Sequence, residues 1–305
     1  MRVHVRVPAT TANLGPGFDA LGLALDLWNE TIWTPTRDGK IRVTISGEGE
    51  DILPTDATNP VVAAALSLYD RVGVTCEGLR VHCINRIPLG SGLGSSSAAL
   101  VSGLLGANAL LGEPLSREDI LRLAIEAEGH PDNVAPALLG GLVVSLLHNG
   151  QVVSIKLPAR APRAPLRATV VLPKFEFPTE YARSILPRTV DRRDAIFNIS
   201  RAILVAEALR TGDVDLLGKA MDDRLHQPYR LPLIPGALAA MEAARRAGAA
   251  AVALSGAGPS LIAFSSDGNP EIGEAMRGEF ERAGLEARVL HLRISEKGAR
   301  VHRKG

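Results

Sequence analysis

The chain of 305 residues predicts an α+β protein in two halves, on three observations. Period-2 stretches such as RVHVRV (Arg2–Val7) alternate with apolar runs of helical length. Asn149-Gly150 lies between two apolar runs, the pattern of a tight type I′ hairpin. The stretch PARAPRAPLR, residues 158–167, is rich in proline and arginine and reads as a connection. It divides the chain into residues 1–160 and 161–305.

The elements follow in order. After the strand at Arg2–Val7, ALGLAL and ETIWT continue strand character beyond the Gly-Pro-Gly of residues 15–17, and Lys40–Gly47 is another strand. Asn59–Val72 has helical spacing, and Gly78–Asn85 returns to strand. Residues 95–111 form an apolar helix that ends at Gly112. Ser116 with Asp119 three positions on forms a capping box for a helix running to Glu128 and stopping at Gly129. A short helix starts around Pro131–Asn133 and leads into the hairpin. In the second half, residues 166–173 are a strand, followed by helices near 179–186, 191–211, 213–224 and 235–247. AAVALSGAGPSLIAF reads as two strands meeting at a glycine turn, and a helix at 271–283 and a strand at 286–294 follow. The charged stretch EKGARVHRKG is expected to be a solvated, frayed end.

Composition excludes several classes. A net charge of +1 and 4% aromatic residues give no basic, stacking surface for nucleic acid. Two cysteines, Cys76 and Cys83, are too few for a disulfide framework or a zinc site and are expected as buried thiols. No signal-peptide pattern opens the chain, and no apolar run reaches the roughly 18 residues of a membrane span. A soluble, cytoplasmic protein without a membrane partner is expected.

Four stretches carry chemistry. In IPLGSGLGSSSAAL, Pro88 and Leu89 lead into Gly90, Gly92 and Gly94, which alternate with Ser91 and Leu93. Ser95, Ser96, Ser97 and Ala98 then open a helix. Amides at a helix start lack intrahelical partners and bind anions without any lysine, and glycines let the backbone approach closely. This loop is therefore expected to hold phosphate. In PATTANLGPGFDALGLAL, Thr10, Thr11, Asn13 and Asp19 surround a turn and suit a polar, amine-bearing substrate. In EAEGHPDNVAPALLGG, Glu128, His130, Asp132 and Asn133 crowd a helix end. One carboxylate with a serine hydroxyl and phosphate oxygens fits magnesium better than zinc. The fourth, SGAGPS, residues 255–260, offers a second glycine-rich backbone surface to the phosphate loop.

The order of PATTANLGPGFDALG, PLGSGLGSSSAAL, EGHPDNVAPA and LSGAGPS resembles the GHMP family of small-molecule kinases, over Pro8–Phe264. ANLGPGFDALG and HPDNVAPALLGG are similar to the versions found in the branch of that family that acts on homoserine. The resemblance implies a two-domain architecture: an N-terminal ATP-binding domain of the fold shared with a ribosomal protein, and a C-terminal ferredoxin-like domain. It implies transfer of the ATP γ-phosphoryl group to the side-chain hydroxyl of L-homoserine, with Mg2+, on the route to threonine. Another kinase of the family, acting on mevalonate-type or sugar alcohols, is the alternative.

Carried over by position, the resemblance makes Pro88–Ala98 the phosphate loop, with Gly256 and Gly258 beside it and Asn59 near the adenine. Ser96 and Glu128 become the magnesium ligands, with Ser95 or Ser97 as substitutes for Ser96. Asn13, Asp19, His130, Asp132 and Asn133 line the amino-acid pocket, Asp19 taking the ammonium. Thr179 is expected to cap a helix, with Arg183 one turn later near the transferring group. Arg230, in LHQPYRLPLIPG, matches the arginine for the substrate carboxylate. Arg183, Glu128 and Asn13 are the expected catalytic residues, and no residue is assigned as a dedicated base. Dimers are common in the family, so the resemblance allows a homodimer, but the sequence itself does not set the oligomeric state.

Overall fold

The computed structural model describes residues 2–149, 151–159 and 166–304. Gly150 of the expected hairpin turn, and most of the expected connection (160–165), lie outside the described residues. The first half runs β1 (Arg2–Ala12), β2 (Leu21–Pro35), β3 (Ile41–Gly47), α1 (Pro60–Arg71), β4 (Leu79–Asn85) and α2 (Ser95–Leu110). It continues through α3 (Arg117–Glu128), α4 (Pro131–Leu139), β5 (Leu142–His148) and β6 (Gln151–Leu157). The second half runs β7 (Arg167–Pro173), α5 (Thr179–Ser184), α6 (Arg192–Thr211), α7 (Val214–Ala220), α8 (Gln227–Arg230) and a 3₁₀ turn, Leu231–Leu233. It closes with α9 (Ala237–Arg246), β8 (Ala251–Leu254), β9 (Leu261–Ser265), α10 (Pro270–Arg282), β10 (Ala287–Arg293) and β11 (Arg300–Lys304).

Seven strands form the first sheet, in the order β11-β1-β2-β4-β3, with β5 and β6 branching from β2. Among the described residues, β3 and β4 form its one parallel pair. The second sheet has the order β10-β7-β9-β8. Counting its own strands along the chain, that is 4-1-3-2 with antiparallel neighbours, the ferredoxin-like arrangement. Helix α2 packs against α1, α3 and α4, and α2 and α4 lie on the first sheet, while α9 and α10 pair beside the second. α2 is apolar all round because neighbours cover most of it; Val101, Leu104 and Ala107 are buried with Trp33 of β2. The larger core runs without a break from this layer into Val170, Phe264 and Val205 of the second half.

The structure differs from three expectations. The stretch expected to fray contains β11, which pairs antiparallel with β1 at the edge of the first sheet. An edge strand needs one apolar face only, and Val301 with the buried Ala299 supplies it, so its arginines misled the compositional reading. The helix expected to reach residue 224 stops at Ala220. Asp223 turns back to accept from the N–H groups of Leu225, His226 and Gln227, which starts α8 instead. Of the cysteines, Cys83 is buried and its thiol is pushed up to about 12 by burial, whereas Cys76 is only partly covered.

Candidate active site

The site is a cavity of about 780 Å³ between the halves. The glycine–serine loop before α2, the end of α3 and the start of α4 line it, together with α5, Arg230 and the β8–β9 turn.

The loop is assembled by long-range bonds. Leu93 is buried, and its carbonyl accepts from the Thr10 amide at 3.0 Å. Ser255 Oγ donates to the Gly92 carbonyl at 2.7 Å and shares a hydroxyl–hydroxyl bond with Thr11 Oγ1 at 3.0 Å. The Gly256 amide donates to the Ala12 carbonyl at 3.2 Å. SGAGPS thus lies directly on the loop. Gly92 (φ +72°) and Gly94 (φ +69°) are both left-handed, and a Cβ would overlap the Ser255 carbonyl in one case and Thr10 Oγ1 in the other. Gly94 caps α2 without a side chain, and the first α-helical turn closes with the Ala98 amide on the Gly94 carbonyl at 2.9 Å. The amides of Ser95, Ser96 and Ser97 are therefore left by the helix itself as anion donors.

Glu128, the last residue of α3, reaches across to these serines. Ser97 Oγ donates to Oε1 at 2.9 Å and Ser96 Oγ to Oε2 at 3.2 Å. Among the described residues no cluster of three or more His, Cys, Asp or Glu side chains is arranged to hold a metal. Two hydroxyls and one carboxylate form an all-oxygen set, which suits a hard cation that keeps other oxygen ligands, as magnesium does. Ser95 lies on the cavity wall, and among the described residues only Ser96 and Ser97 hydrogen-bond to Glu128.

The side of the cavity around Asn13, His130 and Arg183 is a polar network. Asn13 is buried with φ +69°; its Nδ2 donates to the Gly256 carbonyl at 2.8 Å and its Oδ1 accepts from the Asp19 amide at 3.0 Å. Thr10 Oγ1 donates to Asn133 Oδ1 at 2.8 Å. His130 Nδ1 and Asp132 Oδ1 are 2.8 Å apart. That hydrogen bond raises the imidazole above its usual value, against the opposing effect of burial. Arg183 forks onto Asp19, Nη2 to Oδ1 at 2.8 Å and Nη1 to Oδ2 at 3.0 Å. Asp19 raises the guanidinium value further. Arg183 is on the cavity wall and Asp19 is bonded to it at the part-exposed edge, so two residues expected to act separately meet as a pair. Arg230 is fully buried except where it meets the cavity; burial, then the neighbouring Arg183, lowers its value to about 10.

Two further assignments shift. Pro178, not Thr179, is the cap of α5; Thr179 is its first residue and sits exposed at the cavity rim. Asn59 is buried as the cap of α1, accepting from the Val61 amide at 3.0 Å and donating to the Pro54 carbonyl at 2.8 Å. It also borders a smaller, mostly apolar cavity of about 290 Å³ that opens beside Gly90, Ser95 and Ser96. Sequence reasoning missed Ser255, whose hydroxyl joins the two glycine loops, and Phe18, which lies under both arginines, 5.8 Å from Arg183 and 5.2 Å from Arg230. The signal for Ser255 is its place at the head of SGAGPS, beside the glycines that approach the loop.

Residues 59–141 match the family described as GHMP kinases N terminal domain, and residues 205–282 that described as GHMP kinases C terminal. A homoserine kinase of Moorella thermoacetica is 48% identical over 299 residues, covering 97% of this chain and 99% of that protein. One of Carboxydothermus hydrogenoformans is 43% identical over 297 residues, covering 97% and 96%. Among solved structures, homoserine kinase from Cytophaga hutchinsonii superposes with a TM-score of 0.87 at 33% identity, covering 99% of this chain and 97% of that one. L. major mevalonate kinase in complex with R-mevalonate gives 0.74 at 16% identity, covering 96% of each chain, a likeness of fold alone.

Proposed function

Because this chain belongs to the GHMP kinases, in the group of its homoserine kinase relatives, we propose that it phosphorylates L-homoserine. The γ-phosphoryl group of ATP passes to the side-chain hydroxyl, giving O-phospho-L-homoserine on the route to threonine. The observation that carries this is the meeting, in one cavity, of a lysine-free helix start, a serine–carboxylate oxygen set and two arginines.

The triphosphate lies along Pro88–Ala98, against the amides of Ser95, Ser96 and Ser97, with Gly256 and Gly258 on its other flank. The nucleoside extends into the smaller apolar cavity, beside Asn59. Glu128 with Ser97 and Ser96 would hold Mg2+, and Ser97 is the better placed hydroxyl because its bond to Glu128 is shorter. When bound, the ion neutralises charge on the phosphate oxygens. Arg230 grips the substrate carboxylate, and Asp19 with His130, Asp132 and Asn133 forms the polar wall around the ammonium. Asn13 joins this wall to the SGAGPS loop.

Phosphoryl transfer asks mainly for alignment and charge stabilisation. Arg183, one turn into α5 from Thr179, supplies positive charge at the transferring group, and no side chain serves as a dedicated base. A coupled ADP-release assay with Mg-ATP and homoserine, mevalonate, galactose or shikimate tests the reading. Turnover with homoserine is expected. Turnover only with one of the other three would reassign the acceptor within the same kinase class.

A further inference from the structure

Behind Arg230 lies a histidine that the reaction scheme does not use. His226 caps α8, four residues before Arg230, and has no exposed surface. Its Nε2 faces the Gly15 carbonyl at 2.8 Å, and its Nδ1 faces Arg230 Nη1 at 3.1 Å. A carbonyl only accepts and a guanidinium only donates. The ring proton therefore sits on Nε2, and the Nδ1 lone pair receives Arg230. Burial lowers the imidazole value, in keeping with a neutral ring. Asp223 fixes the position of the ring by accepting from the His226 and Gln227 amides at 3.0 and 2.6 Å. Asn198 holds Asp223 in turn, through a bond of 2.7 Å.

The guanidinium of Arg230 is thereby constrained on three sides. Nε donates to the Ala182 carbonyl at 2.9 Å, Nη1 to His226, and its carbon lies over the Phe18 ring at 5.2 Å. Phe18 also stacks on the His226 ring, at 5.1 Å and 21°. Among the described residues, nothing accepts from Arg230 Nη2, and Arg230 lines the cavity. The partner on Nη1 is an imidazole rather than a carboxylate. It orients the fork without neutralising its charge, which suits a guanidinium kept for an anionic ligand.

We propose that His226 is a positioning residue, whose neutral Nδ1 acceptor aims Arg230 at the substrate carboxylate. This rests on the reading of Arg230 as the carboxylate grip. His226→Asn and His226→Gln separate the two ends of the ring, since the Asn amide overlays Nδ1 and the Gln amide overlays Nε2. His226→Gln keeps a donor for Gly15 but loses the acceptor for Arg230. Its KM for homoserine should rise about tenfold, the scale of a lost bond to a charged group, with kcat and the KM for ATP held. His226→Asn, with its oxygen toward Arg230, should keep the homoserine KM near wild type. Equal rises in the two variants, or a loss confined to kcat, would overturn the proposal. Because buried sites tolerate substitution poorly, the wild-type protein supplies an independent measurement. Long-range ¹⁵N–¹H correlations at about pH 7.5 should show the Nε2–H tautomer of His226, and an Nδ1–H tautomer or an imidazolium there would refute it. The tautomer is read without substrate. Wild-type protein that does not turn over homoserine would refute the functional reading instead.

Discussion

Arg183→Ala separates catalysis from stability. Arg183 and Asp19 are 37% and 38% exposed as side chains, so their pair, though bidentate, contributes about 1 kcal/mol or less to folding. In a protein of this size that is a melting shift of about 2 °C. A guanidinium stabilising the transferring phosphoryl group accounts for about 10³-fold in turnover at the low end of such effects, or about 4 kcal/mol of barrier. The kinetic loss should thus exceed the thermodynamic one several-fold. Asp19→Ala is the matched control, because it breaks the same pair and incurs the same small stability cost. Its expected defect is a raised homoserine KM with kcat within a few-fold of wild type. The measurements are kcat at saturating homoserine and Mg-ATP, by coupled ADP release, and melting temperature for all three proteins. A kcat for Arg183→Ala within about threefold of wild type, in protein that melts normally, would refute the role given to this arginine.

Four other outcomes follow from the geometry. Glu128→Ala removes the one carboxylate of the oxygen set; the Mg2+ concentration for half-maximal activity, from a titration at fixed ATP, should rise about tenfold or more. Gly92→Ala forces a Cβ onto the Ser255 carbonyl at a left-handed position, and should lower the melting temperature and abolish its increase on adding Mg-ATP. The raised value of His130 has a definite sign: its stabilisation is complete below the unfolded value of 6.5 and is lost as pH rises through the folded value. Asp132→Asn should therefore destabilise more at pH about 5.5 than at pH about 8.5 in urea melts. Truncation after Ala299 removes β11 and bares the edge of β1, and should give a protein that unfolds earlier and aggregates in light scattering.

The elements that could be read from sequence were those with local causes. The Ser116–Asp119 capping box closes reciprocally, as its spacing requires, and Gly129 ends α3 with φ +86°. Asn149 takes φ +51°, as a hairpin turn demands, between strands paired up to His148 and Gln151. What escaped had causes far away in the chain. β11 is a strand because β1 offers an edge, not because Arg300–Lys304 has strand periodicity. α8 exists because Asp223 supplies acceptors for its first amides. At the site, the glycine loop and the serines near Glu128 were visible as motifs. The Arg183–Asp19 pair spans 164 positions and the Ser255–Gly92 bond 163, and no local pattern encodes either. His226 was within reach of local reasoning: it stands one helical turn before an arginine already singled out.

The pairing of Arg2 with Lys304 has a consequence for how the chain is made. At about 5–20 residues per second, β1 emerges from the ribosome tens of seconds before β11 exists to cover it. During that interval the nascent sheet carries an open edge that any extended segment could join. The alternate residues of β1 facing away from the core in its first half are Arg2, His4 and Arg6, a polar row carrying two arginines that disfavours joining a second copy of itself. Vectorial synthesis thus leaves the first sheet waiting on the end of the second half. Completing it means joining β1 to β11 across both halves, a loop closure of high contact order.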